Sequence, residues 1–349
     1  MIALSRHIRA ACDLAGAKRA VVETVSAMLE EQVPAHQILC AITAINLDLH
    51  RQVFKRGLGY MRCSGISKPP VPITVIVMGS AGRGESFLGP DQDNGFILGD
   101  YPDEDHSKFD PYFITLAERF NNDLASIGFP LCEGGVMARN PVWRKTAAQW
   151  GGQLDRWACR RDPVAVRFAD ALADFRAIAG PPELAHQLRA RLARAFLDNP
   201  ALVEEMCRDR PSSHGALDWF GQLRIEEGGI NHGRTELKQQ ALQQLVGSVR
   251  LWALRHGVQA TGTLSRLRAL ANLKALSSVD VQNLSSAYDV IAGCILRQQV
   301  QDARAGRTIG YFIDLSELAL KQRDALVEAL RQIDGFEAET RAVFASELY

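Results

Sequence analysis

The sequence predicts an α+β protein in which a small mixed sheet is flanked by an N-terminal helical segment and a C-terminal helical bundle. Apolar residues recur at helical spacing before residue 66. Two short apolar runs surround a glycine-rich turn between residues 75 and 98, and a series of helix patterns follows residue 180. We therefore expect three parts: a helical segment over 1–66, a core containing the sheet over 67–180, and a helical domain over 181–349.

Helical spacing dominates the first 66 residues. Val21, Val25 and Met28 recur at intervals of three and four residues, and Pro34 marks the start of a second helix. The stretch 67–72 contains three prolines, which are unfavourable inside regular structure. It is therefore predicted to be a linker that leads into the first strand.

The stretch 75–98, VIVMGSAGRGESFLGPDQDNGFIL, carries the clearest chemical signal in the chain. It begins as an apolar strand and breaks into a turn whose glycines allow sharp bends and close approach of a ligand. The residues of this turn predicted to seat a phosphate chain are Gly79, Ser80, Gly82, Arg83 and Gly84. A second apolar run follows, and just before it Asp91 and Asp93 share one face because side chains alternate along a strand.

Two neighbouring carboxylates repel each other unless a cation lies between them. Magnesium is suited to this position because proteins hold it with one or two carboxylates together with substrate phosphates. A glycine-rich hairpin with an Asp-rich turn is the alternative, since these residues are also common in turns. A Walker loop is excluded because Glu85 follows Gly84 where lysine is required, and a dinucleotide-binding turn is excluded because a second strand follows in place of a helix.

The order of strand, Gly-Ser turn, Asp-x-Asp and strand resembles the nucleotidyltransferase superfamily of DNA polymerase beta. The segment GSAGRGESFLGPDQDN is more closely similar to bacterial nucleotidyltransferases that often accompany cyclic-nucleotide-binding and CBS regulatory domains. These are related to the uridylyl- and adenylyltransferases of nitrogen control. Ala81 departs from the family pattern, which usually has an acidic residue there. The resemblance implies a nucleotidyltransferase core, a nucleoside triphosphate substrate, two Mg²⁺ ions with Mn²⁺ as a substitute, and a regulatory domain as a partner.

The resemblance also implies a third carboxylate on a later strand. The segment ALADFRAI, residues 171–178, fits best, because strand alternation would place Asp174 and Arg176 on one face among apolar residues. The family pattern assigns the third metal-binding and catalytic role to Asp174, beside Asp91 and Asp93, and Arg176 would then contact the triphosphate. Asp170 is the competing acid, and a structural pair of Asp174 with Arg176 on a surface helix is the alternative.

Composition narrows the classes of partner. Forty basic and forty acidic residues give no net charge, so the chain carries no general signal for nucleic acid. The seven cysteines show no zinc spacing and are expected to be reduced. There is no apolar run of membrane-spanning length and no secretory signal, so we expect a cytoplasmic protein that does not bind membranes.

These observations predict a magnesium-dependent enzyme that moves a nucleoside monophosphate from a triphosphate to an acceptor hydroxyl and releases pyrophosphate. The nitrogen-control relatives imply a protein tyrosine as the acceptor, and a small metabolite is the other choice. A regulatory module that senses nucleotide with little or no transfer is the alternative function.

Overall fold

The computed structural model describes residues 14–65, 68–210 and 215–345. The chain divides into two compact units, a central unit of residues 42–199 and a helical unit of residues 1–41 with 200–349. The boundaries predicted from the sequence instead fall after residues 66 and 180, and residues 1–13 of the first predicted segment lie outside the described residues. The first helices therefore contribute to both units.

The central unit is built around four strands and the helices that connect them. Two helices precede the first strand: the first lies in the helical unit, and the second contributes residues to both units. The first two helices are α1, Leu14–Glu30, and α2, Ala35–Cys63; the strands are β1, Ile73–Val77, β2, Asn94–Leu98, β3, Arg144–Thr146, and β4, Arg176–Ala179; the other helices are α3, Gly79–Arg83, α4, His106–Ser126, α5, Ala147–Arg160, α6, Pro163–Ala173, and α7, Pro182–Asp198.

The strands form one mixed sheet in the order β3-β2-β1-β4, which confirms the predicted fold class. Strand β1 pairs antiparallel with β2 and β4, and β2 pairs parallel with β3. Val77, the last residue of β1, is paired with Asn94 at the start of β2 and with Arg176 at the start of β4. The chain segments that leave β1 and enter β2 and β4 therefore meet at the same end of the sheet.

The two central strands are almost continuous apolar runs in the sequence because both faces of the sheet are buried at their positions. All five residues of β1 and all five of β2 are buried, as expected for strands covered on both sides. On one side Phe54 of α2 and Phe120 of α4 pack against Phe96, with ring centroids 5.8 to 6.0 Å apart. This packing holds the sheet, and with it the end of β1, in a fixed position.

The helical unit contains α1, the first turns of α2, and the elements after residue 200. These are α8, Pro200–Asp209, β5, Arg234–Glu236, a π-helical turn, Lys238–Leu242, α9, Gln243–Arg255, α10, Thr263–Asn272, α11, Ser278–Arg304, β6, Phe312–Asp314, and α12, Leu320–Ala345. The C-terminal part is helical, as predicted, and strands β5 and β6 add a small antiparallel ribbon to it.

Two further sequence expectations can be compared with these elements. No helix in the described ranges is long and apolar enough to cross a lipid bilayer. The six cysteines within those ranges are free thiols, and Cys12 lies outside them.

Candidate active site

The site is located where the sheet ends beside Val77. Asp91 and Asp93 lie immediately before β2, and the backbone N–H of Met78 donates to the carbonyl of Asp93 over 2.9 Å. Asp91 is exposed and Asp93 is half-buried, whereas Gln92 between them is fully buried. The two carboxylates thus avoid the inward side taken by Gln92, as the alternation of the sequence predicted.

A buried amide network fixes this alternation. The Gln92 side chain donates to the backbone carbonyls of Asn121 and Phe129, both over 3.0 Å. The Asn121 amide donates in turn to Gln92 Oε1 over 2.8 Å and to Asn94 Oδ1 over 2.9 Å. Because buried polar groups are costly when unpaired, this network locks the register in which both aspartates point away from the core.

The glycine turn packs directly on the predicted site residues. Gly79 has a φ of +55°, and a Cβ built on it would lie 2.3 Å from Asp93 Oδ2. A Cβ on Gly82 would lie 2.0 Å from the backbone oxygen of Asp174. These two positions therefore require glycine so that the segments carrying Asp93 and Asp174 can approach α3.

Asp174 is bound to Arg83. Its side chain is 1% exposed, and Oδ2 accepts a hydrogen bond from Arg83 Nη1 over 2.6 Å. The same guanidinium donates through Nε to Glu85 Oε2 over 2.7 Å. Two acidic groups thus hold one arginine against the glycine turn, and the distances are those of charge-assisted bonds.

The strand predicted over 171–178 is wrong in its first half. Helix α6 extends to Ala173, Asp174 follows it as the C-terminal cap, and β4 begins only at Arg176. Strand alternation therefore does not apply before Arg176. Strand β4 nevertheless pairs with β1 and brings Asp174 to the end of the sheet where Asp91 and Asp93 lie.

The two arginines of the site differ in their partners. Arg83 is committed to Asp174 and Glu85. Arg176 lies beside the turn, with Nη2 3.4 Å from the position of a Cβ on Gly84, and in the described part of the chain it has no ion-pair partner. Ser80 lies in α3, where its backbone oxygen accepts from the N–H of Glu85 over 2.8 Å.

Cys132 is a member of the site that sequence reasoning did not assign. Its thiol hydrogen-bonds the Asp93 carboxylate, and burial, followed by the charge of Asp93, raises the pKa of Cys132 to about 11. The surrounding loop lies along the entrance to β2, because Asn94 N–H donates to the carbonyl of Val136 over 2.9 Å. Val136 and Met137 belong to this loop and form no strand. A lone cysteine carries no recognisable sequence signal for such a contact.

Two of the three predicted metal ligands, Asp91 and Asp93, suit a hard divalent cation. Asp91 and Asp93 provide carboxylate oxygens, the donors that Mg²⁺ prefers, next to a turn without side chains at Gly79. Asp174 Oδ2 is bonded to Arg83, and the role of Asp174 as a third metal ligand stays a prediction. Among the described residues there is no group of three or more His, Cys, Asp or Glu side chains arranged to hold a metal ion.

Comparison with known families gives the class of protein. Residues 19–164 match a family described as "Putative nucleotidyltransferase DUF294", and residues 200–344 match its "Putative nucleotidyltransferase substrate binding domain". The two matches together span most of the chain, so this protein belongs to that nucleotidyltransferase family. No curated protein matches the chain. The cytoplasmic location and the regulatory-domain partner stay predictions.

Proposed function

We propose that the central unit transfers a nucleoside monophosphate from a nucleoside triphosphate to an acceptor hydroxyl and releases pyrophosphate. The observation that carries the proposal is the contact of the Asp93 carboxylate with Gly79, whose missing Cβ would lie 2.3 Å from Oδ2. This contact unites the glycine turn and the Asp-x-Asp pair in a single place at the end of the sheet. The family match supports the same class of reaction.

Asp91 and Asp93 would hold Mg²⁺ together with phosphate oxygens of the substrate. When bound, this ion would neutralise charge on the α-phosphate and the departing pyrophosphate and lower the pKa of the attacking hydroxyl. The expectation of two ions requires Asp174 as a further ligand. Because Asp174 is paired with Arg83, we propose one ion on Asp91 and Asp93, with Asp174 acting through Arg83.

Arg176 is the guanidinium that we assign to the triphosphate. It lies beside Gly84 and has no ion-pair partner among the described residues. A planar guanidinium binds phosphate oxygens in a bidentate manner. Arg83, by contrast, would keep the turn in place through Asp174 and Glu85. Catalysis would then consist mainly of positioning and of stabilising developing negative charge.

The test measures pyrophosphate release and label transfer. The purified chain is incubated with each of the four triphosphates, labelled on the α-phosphate, in a native lysate that supplies acceptors. Asp91→Asn and Asp93→Asn should reduce Mg²⁺-dependent turnover by roughly 100-fold or more, because the substitutions remove charged ligands. Asp103→Asn is the matched control, since Asp103 is exposed in a separate turn.

Unchanged turnover in both site variants would refute the assignment of the metal ligands. Mass spectrometry of the labelled material distinguishes the two acceptor classes. Label on a tyrosine-containing peptide supports a protein acceptor, and label in the small-molecule fraction supports a metabolite.

A nucleotide sensor is the second candidate, and the Arg83 to Asp174 pair favours it because that pair occupies the carboxylate expected to complete the metal site. Calorimetry with each triphosphate separates the two functions. A sensor would bind a triphosphate in the presence of Mg²⁺ and transfer no label, whereas a transferase would release pyrophosphate under the same conditions.

A further inference from the structure

Asp174 lies in a short turn that is held by two arginines from different helices. Arg83 of α3 donates to its carboxylate. Arg189 of α7 donates through Nη1 to the backbone carbonyl of Ala173 over 2.9 Å and through Nη2 to the backbone carbonyl of Phe175. A single guanidinium therefore bonds the carbonyl groups directly before and directly after Asp174.

An aromatic ring fixes the orientation of the Arg189 guanidinium. Its Cζ atom lies 3.8 Å from the centroid of the Phe175 ring, and Phe175 is buried. The planar group thus packs on a buried ring while its two terminal nitrogens reach the two carbonyls. Lysine cannot reproduce this arrangement, because a single ammonium group has no planar fork and stacks less well on an aromatic face. The contact therefore requires the shape of arginine as well as its charge.

The turn places a buried carboxylate at the end of a helix, which is unfavourable without nearby cations. Asp174 is the C-terminal cap of α6, and its side chain is 1% exposed. The last carbonyl groups of a helix have no partner within that helix and carry its partial negative charge. The end of α6 therefore repels the Asp174 carboxylate. Arg189 offsets this repulsion from the backbone side, whereas Arg83 neutralises the carboxylate itself.

The backbone of Asp174 also contacts the glycine turn. A Cβ on Gly82 would lie 2.0 Å from the backbone oxygen of Asp174, so this carbonyl packs directly on α3. The Asp174 side chain reaches the same short helix through Arg83. The position of α3 next to Asp93 thus depends on where the backbone of Asp174 is held. Arg189 holds that backbone through the carbonyls on both sides of it.

We infer that Arg189 is a positioning residue for the proposed nucleotide transfer and that it acts through Asp174 and Arg83. The inference rests on the proposed function, because it requires that the glycine turn seats the reacting triphosphate. A displacement of about 1 Å caused by a remote substitution can reduce the rate by about 100-fold. Loss of Arg189 should therefore lower kcat for pyrophosphate release. The KM for the triphosphate should stay within about threefold, because Arg176 and the metal ligands are unchanged.

The test measures steady-state pyrophosphate release by the full chain and its variants. Arg189→Lys keeps a positive charge beside the end of α6 but loses the fork, so kcat should fall about tenfold, whereas Arg189→Met loses both and kcat should fall about 100-fold. Arg194→Met is the matched control, because Arg194 is exposed on the same helix, and it should leave kcat and KM unchanged. Urea denaturation establishes that each variant is folded at the assay temperature, and Arg189→Lys decides the outcome if Arg189→Met is not.

A double-mutant cycle separates positioning through Asp174 from a general structural role. In the Asp174→Asn background, Arg189→Lys should lower kcat by less than about twofold, because the carboxylate that it positions is already lost. The inference is overturned if Arg189→Lys lowers kcat by the same factor in both backgrounds, if it retains the wild-type kcat, or if it raises KM alone. A wild-type chain that releases no pyrophosphate would refute the proposed function itself, and the role of Arg189 would fall with it.

Discussion

The pair between Arg83 and Asp174 can be broken from either side, and the structure predicts which of the two substitutions should lower the free energy of unfolding more. Asp174 is 1% exposed and Arg83 is 15% exposed, and their charged atoms are 2.6 Å apart. Removing one partner of such a buried pair typically costs about 3–5 kcal/mol. Asp174→Asn leaves Arg83 with Glu85 at 2.7 Å, so we expect a smaller loss, about 2–3 kcal/mol.

Arg83→Met should cost more, about 3–5 kcal/mol, because both Asp174 and Glu85 lose the same guanidinium. The double variant should be more stable than Arg83→Met alone, since the buried charge of Asp174 is then also removed. The assay is urea denaturation at pH 7 followed by tryptophan fluorescence. Asp155→Asn is the control, because Asp155 is 70% exposed and lies 3.8 Å from Arg191, and it should cost less than about 1 kcal/mol.

The reasoning fails if either single variant costs less than about 1 kcal/mol, or if the two losses add in the double variant. Turnover of the same variants separates the two roles of Asp174. If Asp174 acts through Arg83, both variants should lose activity to a similar degree with an unchanged Mg²⁺ requirement. A higher Mg²⁺ requirement in Asp174→Asn alone would instead show that Asp174 is a metal ligand.

Three further predictions follow from individual contacts. Gly79→Ala should reduce both stability and turnover, because its Cβ would meet Asp93 at 2.3 Å, whereas Gly59→Ala, with nothing within 4 Å, should leave turnover unchanged and gain about 0.5–1 kcal/mol by urea denaturation. Equal behaviour of the two variants would contradict this. Cys132, with a pKa of about 11, should react with a disulfide reagent at pH 8 roughly 100-fold more slowly than the exposed cysteines, and a comparable rate would count against the burial of its thiol. Burial raises the pKa of Asp334 to about 6, so the native state binds more protons than the unfolded chain between about pH 4 and pH 6, and the free energy of unfolding should fall as pH rises through that window. Asp334→Asn should remove this loss and stabilise the protein at pH 7 by about 1–3 kcal/mol, and an unchanged pH profile in urea denaturation would refute it.

The sequence predicted those parts of the site that depend on local periodicity. Asp91 and Asp93 lie on the opposite side of the chain from Gln92, as the alternation predicts, because Asn121 fixes the buried Gln92 side chain on the inner side. The antiparallel pair of β1 and β2 also follows from short-range signals, since strand, glycine turn and strand are consecutive in the chain.

The environment of Asp174 could not be predicted in the same way. Asp162 caps α6 and Pro163 lies in its first turn. This pair is a helix-start signal, and the helix that it begins extends into the segment 171–178 that was predicted to be a strand. The partner Arg83 is 91 residues away in the chain, and no local pattern specifies such a contact. The role of the glycines as a seat for phosphate stays a prediction. The close approach of Asp93 to Gly79 and of Asp174 to Gly82 is a further reason for glycine at these positions, and no local pattern specifies it.

The helical unit was predicted less completely for a related reason. Strands β5 and β6 have three residues each, so neither shows a periodic pattern of useful length. The residues that they pair, such as Glu236 and Phe312, are far apart in the chain. Gln32 likewise has a left-handed backbone conformation. A sequence indicates such a position only when it contains glycine or asparagine there.

The central claim is that Asp91 and Asp93 hold a divalent cation together with a triphosphate. Titration of Mn²⁺ followed by electron paramagnetic resonance, with a non-hydrolysable triphosphate analogue present, tests it most directly. The wild-type chain and Asp103→Asn should each bind about one ion, whereas Asp91→Asn and Asp93→Asn should lose most of that binding. Equal Mn²⁺ binding by Asp93→Asn and the wild-type chain would contradict the account.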